Sequence, residues 1–128
     1  MGQTTADGLI KSLTATTAIT KRRCVKFGAA DGTGVPAVDG AAFIVGVSSD
    51  IDTAVGERCS VLSIGCIADV EYGGNVTRGD PLTSDASGRA VTAAPAGGAN
   101  SFIIGYAEVS GVLGDIGSAY IIPQRVQG

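Results

Sequence analysis

Residues 43–48 read Phe-Ile-Val-Gly-Val-Ser, and residues 102–107 read Phe-Ile-Ile-Gly-Tyr-Ala. Each stretch leads to a turn with a glycine and an acid, Gly56-Glu57 in the first case and Gly114-Asp115 in the second, and then to another short apolar segment. The offset is 59 residues between the two phenylalanines and 58 between the two turns. This unit of two short apolar strands joined through a Gly-acid turn occurs twice. It predicts a small all-β scaffold with an internal repeat.

The strand in each copy is apolar on both faces. In the first copy Phe43, Val45 and Val47 are expected to share one face of the strand and Ile44 to lie on the other, so apolar side chains are expected on both sides. A strand of this kind lies inside a barrel or a sandwich, or between subunits. Gly46 and Gly105, at the centre of the two copies, mark a bend or the close approach of another backbone.

Composition supports the same fold class. A chain of 128 residues is one domain, and a hydrophobic fraction of 45% with only 5% aromatic residues predicts a core of small, branched side chains. Twenty glycines and four prolines interrupt any long helical pattern. We expect about nine strands and no helix, arranged as a small antiparallel β-barrel or sandwich with pseudo-repeats at about residues 23–66 and 78–126.

The N-terminus differs from the rest of the chain. Residues 1–7 carry no side chain suited to anchoring them in a core, and an apolar triplet, Leu9, Ile10 and Leu13, follows within a threonine-rich stretch. We therefore expect residues 1–13 to form a flexible N-terminal arm and residues 14–128 to form a single β domain.

Charge and hydropathy argue against several partners. The net charge is −3, and the one dense basic cluster is Lys21-Arg22-Arg23 with Lys26 nearby, so a broad positive surface for nucleic acid is missing. The longest apolar runs are only a few residues, and the N-terminus lacks the apolar segment of a signal peptide. We expect a soluble protein made in the cytoplasm, with no nucleic-acid and no membrane partner.

The sequence offers little for catalysis or metal binding. Without histidine, Ser-His-Asp and Cys-His arrangements are impossible within the chain, and the commonest zinc ligand is missing. Cys24, Cys59 and Cys66 match no C-x-x-C pair, so we interpret them as reduced, partly buried thiols. No phosphate-binding glycine motif occurs. We therefore predict no catalytic residues, no metal, no cofactor and no small-molecule substrate.

For several short motifs, a structural interpretation is favoured over a functional one. Glu57 and Asp115 could form a glycosidase-like carboxylate pair, but an acid in a Gly-acid turn is ordinary. Asp31-Gly32-Thr33-Gly34 only partly matches an aspartic-protease loop, and Arg78-Gly79-Asp80 is an integrin-type tripeptide that fits a turn before Pro81. Six residues are expected to serve as structural turn or bend positions: Gly46, Gly56, Gly79, Asp80, Gly88 and Gly105.

The order of these motifs resembles a known family. Ile44-Val45-Gly46-Val47 is followed by Val55-Gly56-Glu57, then by Arg78-Gly79-Asp80-Pro81-Leu82 with Gly88 and Val91, and then by Ile104-Gly105-Tyr106-Ala107 and a final apolar strand. This order is similar to that of the head decoration proteins of tailed bacteriophages, also called capsid cement proteins. The resemblance covers nearly the whole chain from about Val25 onward.

The resemblance implies a structural role in the virion. It implies a homotrimer that sits on the outer capsid surface at or near three-fold axes, contacts the major capsid protein and stabilises the shell, and it carries over no catalytic residues. On this basis we expect the N-terminal arm to add a strand to a shell edge, with Leu9, Ile10 and Leu13 as capsid contacts.

The sequence is also compatible with two other classes of protein. A trimeric β-barrel enzyme of the dUTPase type would need an aspartate motif with basic residues for phosphates. A carbohydrate-binding or host-attachment module would usually present exposed aromatic side chains, and this chain has no tryptophan.

Overall fold

The computed structural model describes residues 8–128, so the arm predicted for residues 1–7 lies outside the described residues. The described chain forms ten strands and no helix, which confirms the all-β prediction. The strands are β1 Ile10–Ala15, β2 Cys24–Phe27, β3 Thr33–Pro36, β4 Ile44–Ser48, β5 Arg58–Leu62, β6 Ile67–Glu71, β7 Pro81–Ser84, β8 Ala90–Thr92, β9 Asn100–Ala107 and β10 Ile116–Gln127. From Gly8 onward, no helix has the length and apolar character needed to span a bilayer.

The first half of the chain is a closed barrel. Its five strands follow the spatial order β1-β3-β2-β4-β5. Neighbouring strands are antiparallel except β1 and β3, which are parallel. β1 closes the barrel against β5, pairing Ile10 with Leu62 and Thr14 with Arg58. Closure leaves fewer exposed sheet edges than an open sheet of the same length would have.

The second half repeats this topology in a five-stranded sheet of order β6-β10-β9-β7-β8. A parallel bridge between Tyr72 and Ala90 links the two ends of this sheet, at the place where β1 and β3 pair in the barrel. β6, β7 and β8 begin 57 residues after β1, β2 and β3, and β10 begins 58 residues after β5. The repeat therefore includes β1 and β6 and extends beyond the predicted bounds of residues 23–66 and 78–126.

The central glycine of each repeat lies against the backbone of the following strand. A Cβ atom added to Gly46 would overlap the carbonyl oxygen of Leu62, and one added to Gly105 would overlap the carbonyl oxygen of Tyr120. Leu62 is the last residue of β5, and Tyr120, its equivalent 58 positions later, lies in β10. The same close crossing of two strands thus occurs once in the barrel and once in the second sheet.

β4 is buried along its whole length and connects the two halves. Val45 packs inside the barrel, whereas Ile44 and Val47 belong to a larger core cluster shared with the second sheet. The prediction that Val45 and Val47 share one face is wrong because a β-bulge opposite Val25 adds one residue to β4 and shifts the alternation.

A charged network also joins the halves. Arg23, just before β2, donates to a carboxylate oxygen of Glu71 at 3.0 Å, and Arg89 lies 3.8 Å from the other oxygen of the same carboxylate. Arg89 Nε lies 3.5 Å from Asp85 without a hydrogen-bonding geometry. Because the charged side chains are only 20–30% exposed, this network is partly shielded from water and helps to fix the barrel against the second sheet.

The predicted arm is too long at its C-terminal end. Ile10–Leu13 form the first part of β1 and pair with β5. Leu13 is 0% exposed and packs in the barrel core, so this residue cannot be a capsid contact in the folded protein. Leu9 and Ile10 remain 54% and 50% exposed. The alternation of β1 explains the difference, since every second side chain of its C-terminal half points into the barrel.

Candidate functional site

The described residues contain no cluster of three or more His, Cys, Asp or Glu side chains that could hold a metal ion. All three cysteines are buried and unpaired. Burial, together with the nearby Asp85 carboxylate, raises the pKa of the Cys24 thiol from 9.0 to about 12. Burial also raises the pKa of Cys66. These two thiols are poor nucleophiles at neutral pH, because the thiolate is the reactive form.

The Cys24 thiol should make stability depend on pH. Below pH 9 the folded and the unfolded chain both keep this proton, so its contribution is fully present. Between pH 9 and pH 12 only the unfolded chain loses the proton, so the free energy of unfolding should fall as the pH rises, on the order of 1 kcal/mol per pH unit. Urea denaturation of the wild-type protein and of Cys24→Ala across this range measures the effect. A Cys24→Ala variant with the full wild-type slope would contradict it.

The carboxylates singled out by sequence hold their own turns. Glu57 accepts the backbone N–H of Ala54 at 3.0 Å, and Asp115 accepts that of Val112 at 2.9 Å. Asp80 accepts the backbone N–H of Thr77 at 2.9 Å. Each acid thus stabilises a turn locally, and none of these bonds joins Glu57 to Asp115.

The glycine turn positions have backbone angles that favour glycine. Gly56, Gly79 and Gly88 have φ values of 87°, 92° and 80°. Gly79 belongs to the Arg78-Gly79-Asp80 tripeptide, which forms the turn before β7. Arg78 and Gly79 donate backbone hydrogen bonds to Ser110 Oγ and the Ala107 carbonyl, at 2.8 Å each. This segment is therefore fixed against the end of β9 and the loop that follows it.

A cleft of about 260 Å³ lies between the barrel and the second sheet. Its lining includes Arg22, Asp50 and Asp69, together with the apolar side chains of Leu62 and Ile67. A lining with one arginine and two aspartates gives no concentration of positive charge for a phosphate group.

The described residues present three exposed apolar surfaces in addition to the buried core. The first is at the junction of the two halves, where Leu9 donates to the Ile64 carbonyl at 3.0 Å and Gly65 donates to the Ile121 carbonyl at 2.9 Å. We call its exposed side chains the junction patch; they are Leu9, Ile10, Ile64 and Ile122, with exposures of 54%, 50%, 54% and 40%.

The second surface gathers all three phenylalanines of the chain. Phe27 stacks on Phe43 with ring centroids 6.0 Å apart, and Phe43 meets Phe102 edge to face at 5.9 Å. Phe27 and Phe43 are 50% and 40% exposed. Phe27 and Phe43 belong to the barrel half and Phe102 to β9, so this cluster also spans both halves.

The third surface consists of two loops at equivalent positions in the repeat. Loop A, residues 49–57, joins β4 to β5, and loop B, residues 108–115, joins β9 to β10. Both loops present exposed aliphatic side chains to solvent. Sequence reasoning missed this surface, although the signal was present: apolar residues recur within each loop, next to the Gly-acid turns.

The profile of the phage cement protein family matches residues 4–110 of this chain, a stretch that includes the barrel and most of the second sheet. The chain belongs to the phage cement protein family. Membership supports a structural, capsid-associated role in the virion, which confirms the resemblance found in the sequence. No curated protein matches the chain.

A solved structure of bacteriophage phi29, the N base of head fiber gp8.5, is similar in fold to this cement-family protein. The TM-score is 0.67 at 17% sequence identity, and the match covers 94% of this chain and 98% of the phi29 chain. The similarity therefore extends over both halves of the repeat.

Proposed function

We propose that the protein binds the outer surface of an assembled phage capsid as a homotrimer, contacts the major capsid protein and stabilises the shell without catalysing a reaction. Membership of the phage cement protein family is the observation that carries this proposal. The exposed apolar surfaces support it, because such surfaces commonly mark protein–protein contacts.

Stabilisation follows from mass action. A protein that binds the assembled shell, and not its separated subunits, raises the free energy needed to take the shell apart. Three linked copies would bind together with avidity, since the second and third contacts form within one complex.

Leu9 and Ile10 are proposed as capsid contacts because both are about half exposed within the junction patch. The arm of residues 1–13 is proposed to add a strand to a shell edge; its residues 1–7 lie outside the described residues, and Ile10–Leu13 pair with β5. A deletion of residues 1–7 would remove none of the ten described strands.

Binding to heads assembled without the protein tests the proposal. We expect the purified protein to sediment with these heads, to raise their thermal disruption temperature, and to have the mass of a trimer of 12.6 kDa chains by analytical ultracentrifugation. A protein that stays in the supernatant would overturn the capsid role. Nucleotide hydrolysis by the same preparation would favour a dUTPase-like enzyme instead.

A further inference from the structure

We propose that loops A and B are paired anchors that insert into the capsid shell, which would receive them in two apolar depressions with basic rims. This inference rests on the proposed function and names the surface that performs it. Six exposed aliphatic side chains carry the contact: Ile51 and Val55 in loop A, Val109, Val112 and Leu113 in loop B, and Ile116 directly after loop B.

The repeat places these side chains in matching positions. Ile51 and Val109 are equivalent, with exposures of 68% and 40%, and so are Val55 and Leu113, with exposures of 65% and 61%. Each pair is separated by 58 residues, the offset between the two Gly-acid turns. Single exposed apolar residues are common, but the same two positions kept apolar in both copies indicate a shared use.

Both loops are held in place by hydrogen bonds. In loop A, Thr53 exchanges two backbone bonds of 2.9 Å with Ile19. In loop B, Gly111 exchanges two with Val76, at 2.9 and 3.0 Å. The Glu57 and Asp115 carboxylates add one bond each within their own loops. A fixed loop loses little conformational entropy on binding, so more of the gain from burying its apolar side chains remains as affinity.

The charges around the apolar side chains indicate which charge the rim of the partner surface carries. Loop A contains Asp50, Asp52 and Glu57, and loop B contains Glu108 and Asp115, whereas neither loop contains lysine or arginine. Two acidic loops with apolar tips complement apolar depressions surrounded by basic side chains. A second copy of this chain would bring the same acidic loops, so loop-to-loop pairing between copies is disfavoured by repulsion.

The loops are connected through the junction of the two halves. Arg22 donates to the Ser49 carbonyl of loop A at 3.0 Å, and its own carbonyl accepts from Glu71 at 3.0 Å. The next residue, Tyr72, donates to Asp115 of loop B at 2.8 Å. This series of backbone hydrogen bonds connects loop A to loop B and fixes the position of one loop relative to the other. A fixed relative position favours simultaneous docking of both loops.

Serine substitutions at the equivalent positions test the proposal. The variants are Ile51→Ser with Val55→Ser for loop A, Val109→Ser with Leu113→Ser for loop B, and all four together. We expect each loop variant to bind heads about tenfold more weakly and the fourfold variant to lose measurable binding. Binding by the wild-type protein should also weaken as salt is added, because salt screens the acidic loops from a basic rim.

The matched control is Val38→Ser, which removes an apolar side chain of 46% exposure outside both loops and outside the junction patch. Control binding at the wild-type level together with weakened loop variants supports the proposal. Loop variants that bind as the wild type does would overturn it while leaving the capsid role in place, and a wild type that does not bind overturns the capsid role itself. A loop variant with a changed oligomeric mass would identify a second copy as the occupant and also overturn it.

Discussion

Gly105→Ala should prevent the second sheet from reaching its native packing and lower the free energy of unfolding by more than about 4 kcal/mol. The added Cβ would overlap the carbonyl oxygen of Tyr120, a backbone atom that cannot rotate away. Gly105 also has a φ of 149°, which side-chain-bearing residues rarely adopt. Steric overlap and backbone strain therefore act together at this position.

Urea denaturation followed by circular dichroism measures this effect, with two further variants for comparison. Gly46→Ala should also be strongly destabilising because its Cβ would overlap the Leu62 carbonyl, although the φ of Gly46 is not positive. Gly74→Ala is the matched control, since a Cβ there meets no atom within 4 Å and should change stability by less than about 1 kcal/mol. A Gly105→Ala protein with the same midpoint as Gly74→Ala would contradict the close crossing of β9 and β10.

The sequence marked Gly46 and Gly105 as sites of a bend or of a close backbone approach because their signal is local. A glycine inside a short apolar strand, followed at a fixed distance by a Gly-acid turn, is visible without knowing which strands pair. The first strands of the two repeats share far less: Ile10–Ala15 reads Ile-Lys-Ser-Leu-Thr-Ala, and its equivalent after Cys66 begins Ile-Ala-Asp-Val-Glu. Only the spacing of their apolar residues agrees. The full extent of the repeat can therefore be recognised only from the strand pairing in the structure.

One turn illustrates how far the two copies have diverged. Arg22 has a φ of 56°, and the equivalent residue of the second sheet, Gly79, has a φ of 92°. Glycine at this left-handed position is a recognisable turn signal, whereas arginine is not. The first repeat therefore could not be extended back through Arg22 from composition or turn residues alone.

The candidate surfaces were harder to predict than the fold. Exposure of Ile51 or Leu113 depends on whether these residues continue a strand or leave it, and an apolar residue near a glycine fits either case. Likewise, the three phenylalanines are far apart in sequence, and only the contact between the barrel half and β9 brings Phe102 to Phe43. Surfaces built from distant segments become visible only after the halves are assembled.

Repetition has a different consequence for the core than for the surface. In the core, the second copy supplies the other wall: the largest buried cluster combines Ile44 and Val47 of the barrel half with β6 to β10, so neither half buries its own apolar side chains completely. On the surface, the second copy supplies another loop that is also acidic and also carries exposed aliphatic side chains. A duplicated scaffold can thus bind at two points while relying on one shared core for its stability.

Leu13→Ala should lower the free energy of unfolding by about 3 kcal/mol, whereas Ile10→Ala should lower it by less than about 1 kcal/mol. Both residues are apolar and both lie in β1, but Leu13 is 0% exposed in the barrel core and Ile10 is 50% exposed. Truncating Leu13 leaves a cavity among Val25, Val45 and Val61, while truncating Ile10 removes a side chain that is already half in water.

The two variants separate a folding role from a binding role within one strand, if urea denaturation and sedimentation with heads are measured on the same samples. Leu13→Ala should be less stable and, at temperatures where it is folded, should bind heads as the wild type does, because its side chain never reaches the surface. Ile10→Ala should be nearly as stable as the wild type and should bind heads more weakly, since Ile10 belongs to the junction patch. The reverse pattern would mean that β1 opens when the protein docks and that Leu13 becomes a capsid contact only in the bound state.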